Sequence, residues 1–175
     1  PVLAWLYSNI HLPVLFGFVA AIRLLRPDQY AKVRTIFVLS FVPAVIAIAA
    51  YPLAPPRWLP ELGLGPAPRE AELGSSGALF HNETAAIASQ HFGFALFVAA
   101  VALWLLPRSR VLWIALAYPA LVFVVIVGTG NHYVVDCVVG SLTFLLAALA
   151  ARALHGSTTA HEAAAQPGAA ALVAA

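Results

Sequence analysis

Residues 128–140, Gly-Thr-Gly-Asn-His-Tyr-Val-Val-Asp-Cys-Val-Val-Gly, place His132 and Asp136 four positions apart between two long apolar segments. On a helix, side chains at that spacing lie one above the other and can touch. Two further patches carry reactive groups: Ala-Pro-Pro-Arg at 54–57, ending in Arg57, and Ala-Ser-Gln-His at 88–91, with Ser89 and His91. Brought together, they supply a guanidinium, a hydroxyl, two imidazoles and a carboxylate. That set suits attack on phosphorus. One imidazole can act as nucleophile while a carboxylate holds its tautomer and stabilises the imidazolium. The other can protonate the departing oxygen. Arg57 can clamp phosphate oxygens through two parallel N–H bonds. A helix opening at Ser89 would add amide donors and a dipole favourable to an anion.

The elements that must position these groups are set by composition. Of 175 residues, 62% are hydrophobic and only 9% charged, with a mean hydropathy of +0.91. Soluble chains average about 45–50% apolar and about 25% charged, so an integral membrane protein is expected. The formal charge of +2 is small and scattered, which argues against nucleic acid as a partner. The one cysteine, Cys137, excludes an internal disulfide and offers no metal-site spacing.

Apolar runs of spanning length predict an all-α bundle with spans at about 9–25, 35–53, 91–106, 111–128 and 137–154. Pro13 falls in the first turn of the first span, Arg23 snorkels at its end, and His11, near its outer end, either lines a pocket or serves packing. The longest connection, 54–88, is rich in Pro and Gly and has room for a short surface helix. It includes His81 and the glycosylation-type tripeptide Asn82-Glu83-Thr84. The expected organisation is a membrane domain over 1–154 and a low-complexity, Ala-rich tail over 155–175 that is helical, disordered or partly a cloning remnant. His155 and His161 fall in this tail and receive no site role.

Charge gives orientation. Arg23, Arg26, Lys32, Arg34, Arg108, Arg110 and Arg152, seven of the nine basic residues, fall on one side, which the positive-inside rule makes cytoplasmic. Arg57 and Arg69 lie on the other, with Glu61, Glu70, Glu72 and Glu83. The three reactive patches then meet at one outer face, since an antiparallel bundle with short connections gathers alternate helix ends.

In these motifs and their order the chain resembles the type 2 phosphatidic acid phosphatase superfamily, particularly its inositol phosphorylceramide synthase branch. His132 and Asp136 match the His-x-x-x-Asp that ends the family's third motif. Ser89-Gln90-His91 matches part of the second motif, usually Pro-Ser-x-His, and Arg57 stands where the first motif ends in a basic residue. The likeness runs from about Trp5 to Leu154. It implies a helical membrane fold with a core of six spans, so that a first helix precedes Pro1, in keeping with a chain that lacks any methionine. It also implies that His132 forms a phosphohistidine, that Asp136 orients it and that His91 protonates the leaving group. Arg57 and Ser89 would bind phosphoryl oxygens. Three positions depart from the pattern. Val125 and Ile126 replace an upstream Ser-Arg, Ala88 replaces Pro, and Ala50 replaces a Lys. A site poorer in cations would draw on Thr129, Asn131 and backbone amides.

The implied activity is a lipid phosphate or diphosphate phosphatase at the plasma membrane, its site on the extracytoplasmic face, with lipid phosphate as substrate and neither metal nor cofactor. Transfer of a phospho-headgroup to an alcohol is the alternative within that chemistry, and a non-catalytic transporter or assembly subunit is the alternative outside it. Two rivals address the residues themselves. A His–Asp pair can be a satisfied intramembrane hydrogen bond, and His91, His132 and Asp136 can make a two-His-one-carboxylate metal triad.

Overall fold

A computed structural model describes residues 2–59 and 86–165, with side chains through Gly156. Among the described residues the regular elements are all helical: α1 (Val2–Asn9), α2 (His11–Leu25), α3 (Pro27–Leu39), α4 (Phe41–Ala50), a 3-10 turn at Pro56–Trp58, α5 (Gln90–Leu105), α6 (Val111–Gly128) and α7 (Val134–Ala165). Val2–Leu25, Pro27–Ala50, Val111–Gly128 and Val134–Gly156 are long and apolar enough to cross a bilayer. The fifth apolar helix, α5, has 16 residues and is about 24 Å long, short of the roughly 30 Å hydrocarbon core.

Proline explains the segmentation. A proline inside a helix lacks the N–H that would bond four residues back, and its ring crowds that carbonyl. Helix α1 ends at Asn9, four before Pro13, and α3 ends at Leu39, four before Pro43. Each break is bridged rather than open. Ile10 N–H still bonds Leu6 O and Val14 N–H bonds Ile10 O, both at 3.1 Å. At the second break Gln90 Nε2 donates to Ser40 O at 3.2 Å.

The expected boundaries shift in three places. The first span begins at Val2 rather than near residue 9, so His11 sits well inside it and not at its outer end. The presumed connection 23–34 shrinks to Arg26, because Pro27 at the first helical position starts α3 at once. Its three arginines have partners: Arg23 and Arg34 lie 5.6 and 5.9 Å from the Tyr30 ring centroid, and Arg26 Nη1 donates to Leu105 O at 3.1 Å. The last helix starts at Val134 and runs through Ala165, past the expected limit at residue 154. His81, Arg69, the Asn82-Glu83-Thr84 tripeptide and most of the 54–88 connection lie outside the described residues.

Helix α5 is the centre of the bundle. Phe94, Ala95, Phe97, Val98, Val101, Ala102 and Leu105 are buried, packed with Leu15 and Ile22 of α2, Val33 of α3 and Ile126 of α6. The outer helices turn Leu24, Ile46, Trp113, Val124 and Leu145 outward, where a membrane would cover them. Helices α5 and α7 cross where both carry glycine. A Cβ on Gly93 would lie 2.8 Å from Gly140 O, and one on Gly140 would collide with the Ser89 carbonyl. Small residues permit this close backbone approach. It brings the start of α5 against the start of α7.

Candidate active site

The stretch after α6 is a helix stop. Gly130, at φ 66°, takes the left-handed conformation, and its N–H bonds Val127 O at 3.0 Å while Asn131 N–H bonds Ile126 O at 3.1 Å. That pair of bonds is a Schellman motif, for which glycine is favoured. Thr129 Oγ1 donates to Val125 O at 2.7 Å and accepts from Asn131 Nδ2 at 2.6 Å. In this arrangement two of the four expected phosphate-binding side chains, Thr129 and Asn131, finish α6. Gly130 O then accepts the Arg57 N–H at 3.0 Å, docking the Pro56–Trp58 turn onto the stop. Arg57 itself is buried.

His132 follows the stop and precedes α7, so it does not share a helix face with Asp136 as the spacing predicts. Asp136 instead reaches back as a capping carboxylate, its Oδ2 accepting the Tyr133 N–H at 2.7 Å. This is half of a capping box, with Asp at the third helical position. The same Oδ2 lies 3.4 Å from His132 Nδ1. A nearer acceptor, Ala86 O, lies 3.0 Å from that nitrogen. A proton on Nδ1 therefore faces two acceptors, one neutral and one anionic, which leaves Nε2 as the nitrogen to meet an electrophile. Asp136 has no exposed surface, and its Oδ1 has no hydrogen-bond partner.

Ser89 occupies the N-cap of α5, its Oγ accepting the Phe92 N–H at 3.4 Å. It too is fully buried, and its own N–H donates to Asp136 O at 3.1 Å. Two residues on, His91 faces His132 with ring centroids 6.1 Å apart. Its other neighbours are Tyr7, stacked at 4.5 Å, and His11 at 4.6 Å. His11 Nδ1 hydrogen-bonds Tyr118 Oη at 2.8 Å, and its Nε2 is buried without a partner. The cleft between Tyr7, His11, His91 and Tyr118 has about 20 Å³ of water-accessible space, room for about one water.

All seven sequence-derived site residues thus gather at one end of the bundle. Tyr7, Tyr118 and the Ala86 carbonyl were not anticipated. Tyr7 and His11 are four apart in sequence, a spacing that flags a shared face, and Tyr118 is a lone hydroxyl in an otherwise apolar helix. The Ala86 carbonyl leaves no sequence signal. Among the described residues no group of three or more His, Cys, Asp or Glu has an arrangement that would hold a metal ion.

A family description, the PAP2 superfamily, matches residues 1–150. The chain belongs to the PAP2 superfamily. That match covers each of the three patches, so His91, His132 and Asp136 stand within the shared region rather than in an appended segment. Neither the curated proteins nor the solved structures contain a match to the chain. PAP2 membership supports a phosphatase or phosphotransferase acting on phosphate esters, carried by a helical membrane fold.

Proposed function

We propose that this PAP2 protein hydrolyses a lipid phosphate or diphosphate through a phosphohistidine on His132. The observation that carries the reading is the pair of facing imidazoles, 6.1 Å apart, one of them held at Nδ1 by Ala86 O and Asp136. A nucleophile approaches its target at about 3–3.5 Å, and a general acid reaches its oxygen at about 2.6–3.2 Å. Those reaches add up to more than the 6.1 Å between the rings, so the reacting group is proposed beside the pair, within reach of both imidazoles, rather than between their faces.

In the first step the Nε2 lone pair of His132 forms the N–P bond as the lipid P–O bond breaks. Protonated His91 gives its proton to the departing oxygen. The new imidazolium-like ring is stabilised by the Asp136 carboxylate, whose Oδ2 lies 3.4 Å from its Nδ1. Neutral His91 then takes a proton from water as that water attacks phosphorus, and the N–P bond breaks. Arg57, Ser89, Asn131 and Thr129 are proposed around the phosphoryl oxygens, with Arg57 the charge among them. An extracytoplasmic site is supported by the concentration of seven of nine basic residues toward the opposite end.

The test separates the two imidazoles. His132→Ala should neither turn over nor trap a phosphoenzyme from a radiolabelled lipid phosphate. His91→Ala should lose about 10²–10⁴-fold on a lipid ester but much less on an aryl phosphate, whose leaving group needs no proton. Equal losses of His91→Ala on both substrates, or a phosphoenzyme in His132→Ala, would refute the assignment.

A further inference from the structure

The end of the bundle away from the histidines holds a larger space. Between α3, α5 and α7 lies a pocket of about 440 Å³, lined by Lys32, Ile36, Trp104, Ala148, Arg152 and His155 among others. Three other cations at this end have partners. Arg23 and Arg34 flank Tyr30, and Arg26 bonds Leu105 O and lies 3.5 Å from Asp28. Lys32 and Arg152, which line the pocket, have neither an ion pair nor a hydrogen bond from their side chains among the described residues. Among the described residues no carboxylate lines the space. His155 Nε2 meets Thr35 Oγ1 at 3.1 Å, fastening α7 to α3 beside it.

Two unpaired cations over an apolar floor match an amphiphile rather than a soluble anion. Ile36, Ala148 and Ala151 supply the floor. Trp104, 48% exposed, has the amphipathic ring that favours the headgroup level. Arginine binds phosphate oxygens through paired donors, and lysine through its charge. We propose that this pocket binds the phosphate headgroup of an anionic phospholipid from the leaflet at the basic end, apart from the reaction site. The occupant is a resident lipid, held by its phosphate against Lys32 and Arg152 with its chains along the exposed apolar surfaces of α3 and α7. This assignment does not depend on the proposed reaction, since its evidence lies wholly at the other end of the helices.

The full chain, purified into nanodiscs of phosphatidylcholine and phosphatidylglycerol, tests it by native mass spectrometry of the co-released lipid. Phosphatidylglycerol should be retained in preference to phosphatidylcholine. Lys32→Gln with Arg152→Gln should cut that preference by about thirtyfold, the order expected for two juxtamembrane cations. Arg108→Gln with Arg110→Gln removes equal charge from the α5–α6 turn and should leave the preference intact. Ala148→Phe keeps every charge while filling the floor, and should also lose the lipid; it carries the test if the charge variant fails to insert. Three results would overturn the proposal: no preference in the parent protein, an equal loss in the Arg108/Arg110 variant, or displacement of the lipid by inorganic phosphate.

Discussion

The two ends of this bundle handle polar groups in opposite ways. At the histidine end, side chains are short, buried and fixed by backbone: His132 to Ala86 O, Asp136 to Tyr133 N–H, Ser89 to Phe92 N–H. At the basic end they are long and reach outward, with Lys32 and Arg152 exposed. Each pattern has a physical reason. Reacting groups need placement within a fraction of an ångström, which backbone partners provide. Anchoring groups need reach, because an alkyl stem can lie along apolar surface while its charge stays in water. Rigidity is concentrated at the proposed reaction site, and freedom at the proposed lipid-binding end.

The sharpest break in that comparison would be topological. The two ends are expected on opposite sides of the membrane. Trp58→Cys, beside Arg57, should react with an impermeant thiol reagent in intact cells. Ser109→Cys, in the α5–α6 turn, should stay protected until the cells are opened. The native Cys137 is buried and should be silent. Reversed labelling would put the histidines inside and overturn the proposed extracytoplasmic site.

Next in size is Asp136→Asn. The amide oxygen can still accept the Tyr133 N–H, so α7 should keep its cap and the protein should insert normally. What disappears is the negative charge 3.4 Å from His132 Nδ1. The matching change in a serine protease triad costs about 10⁴ in turnover. Here Ala86 O already shares in holding the tautomer, at 3.0 Å, so the expected loss is smaller, at least about 10²-fold. Single-turnover kinetics on a lipid phosphate would measure it. Near-full activity would mean that the carboxylate serves only as a cap.

How far the sequence showed this in advance depends on the kind of contact. Apolar run lengths placed the spans, and motif order placed the three patches at one end. The helix breaks have a sequence signal in Pro13 and Pro43, each ending a segment four residues upstream, although the expected place for Pro13 was the first turn of a span. The His132–Asp136 contact was expected for a different reason from the one observed. A spacing of four suggested a shared helix face, but Gly130 stops α6 and leaves His132 two residues ahead of α7. The pair meets through capping instead. Contacts made by backbone across long separations, such as Ala86 O on His132, carry no residue-type signal at all. The crossing at Gly93 and Gly140 lies between these cases: the glycines are visible in the sequence, but their facing one another depends on how two helices pack.

The smallest expected effect belongs to the basic end, and it tests whether the two ends are independent. Arg34 sits 5.9 Å from the Tyr30 ring centroid, with Arg23 at 5.6 Å from the same ring. Replacing Arg34 with Gln removes one of two cations from a ring that keeps the other. An exposed cation–π contact is worth about 0.5–1 kcal/mol, so thermal unfolding in detergent should move only slightly. Turnover on the lipid phosphate should not change, because Arg34 makes no contact with His91 or His132: α3 meets them only by way of the helices it packs on, α2, α5 and α7. A fall in turnover comparable to that of Asp136→Asn, with stability unaltered, would mean that the basic end governs the geometry of His91 and His132. Anchoring and chemistry would then be coupled through α5.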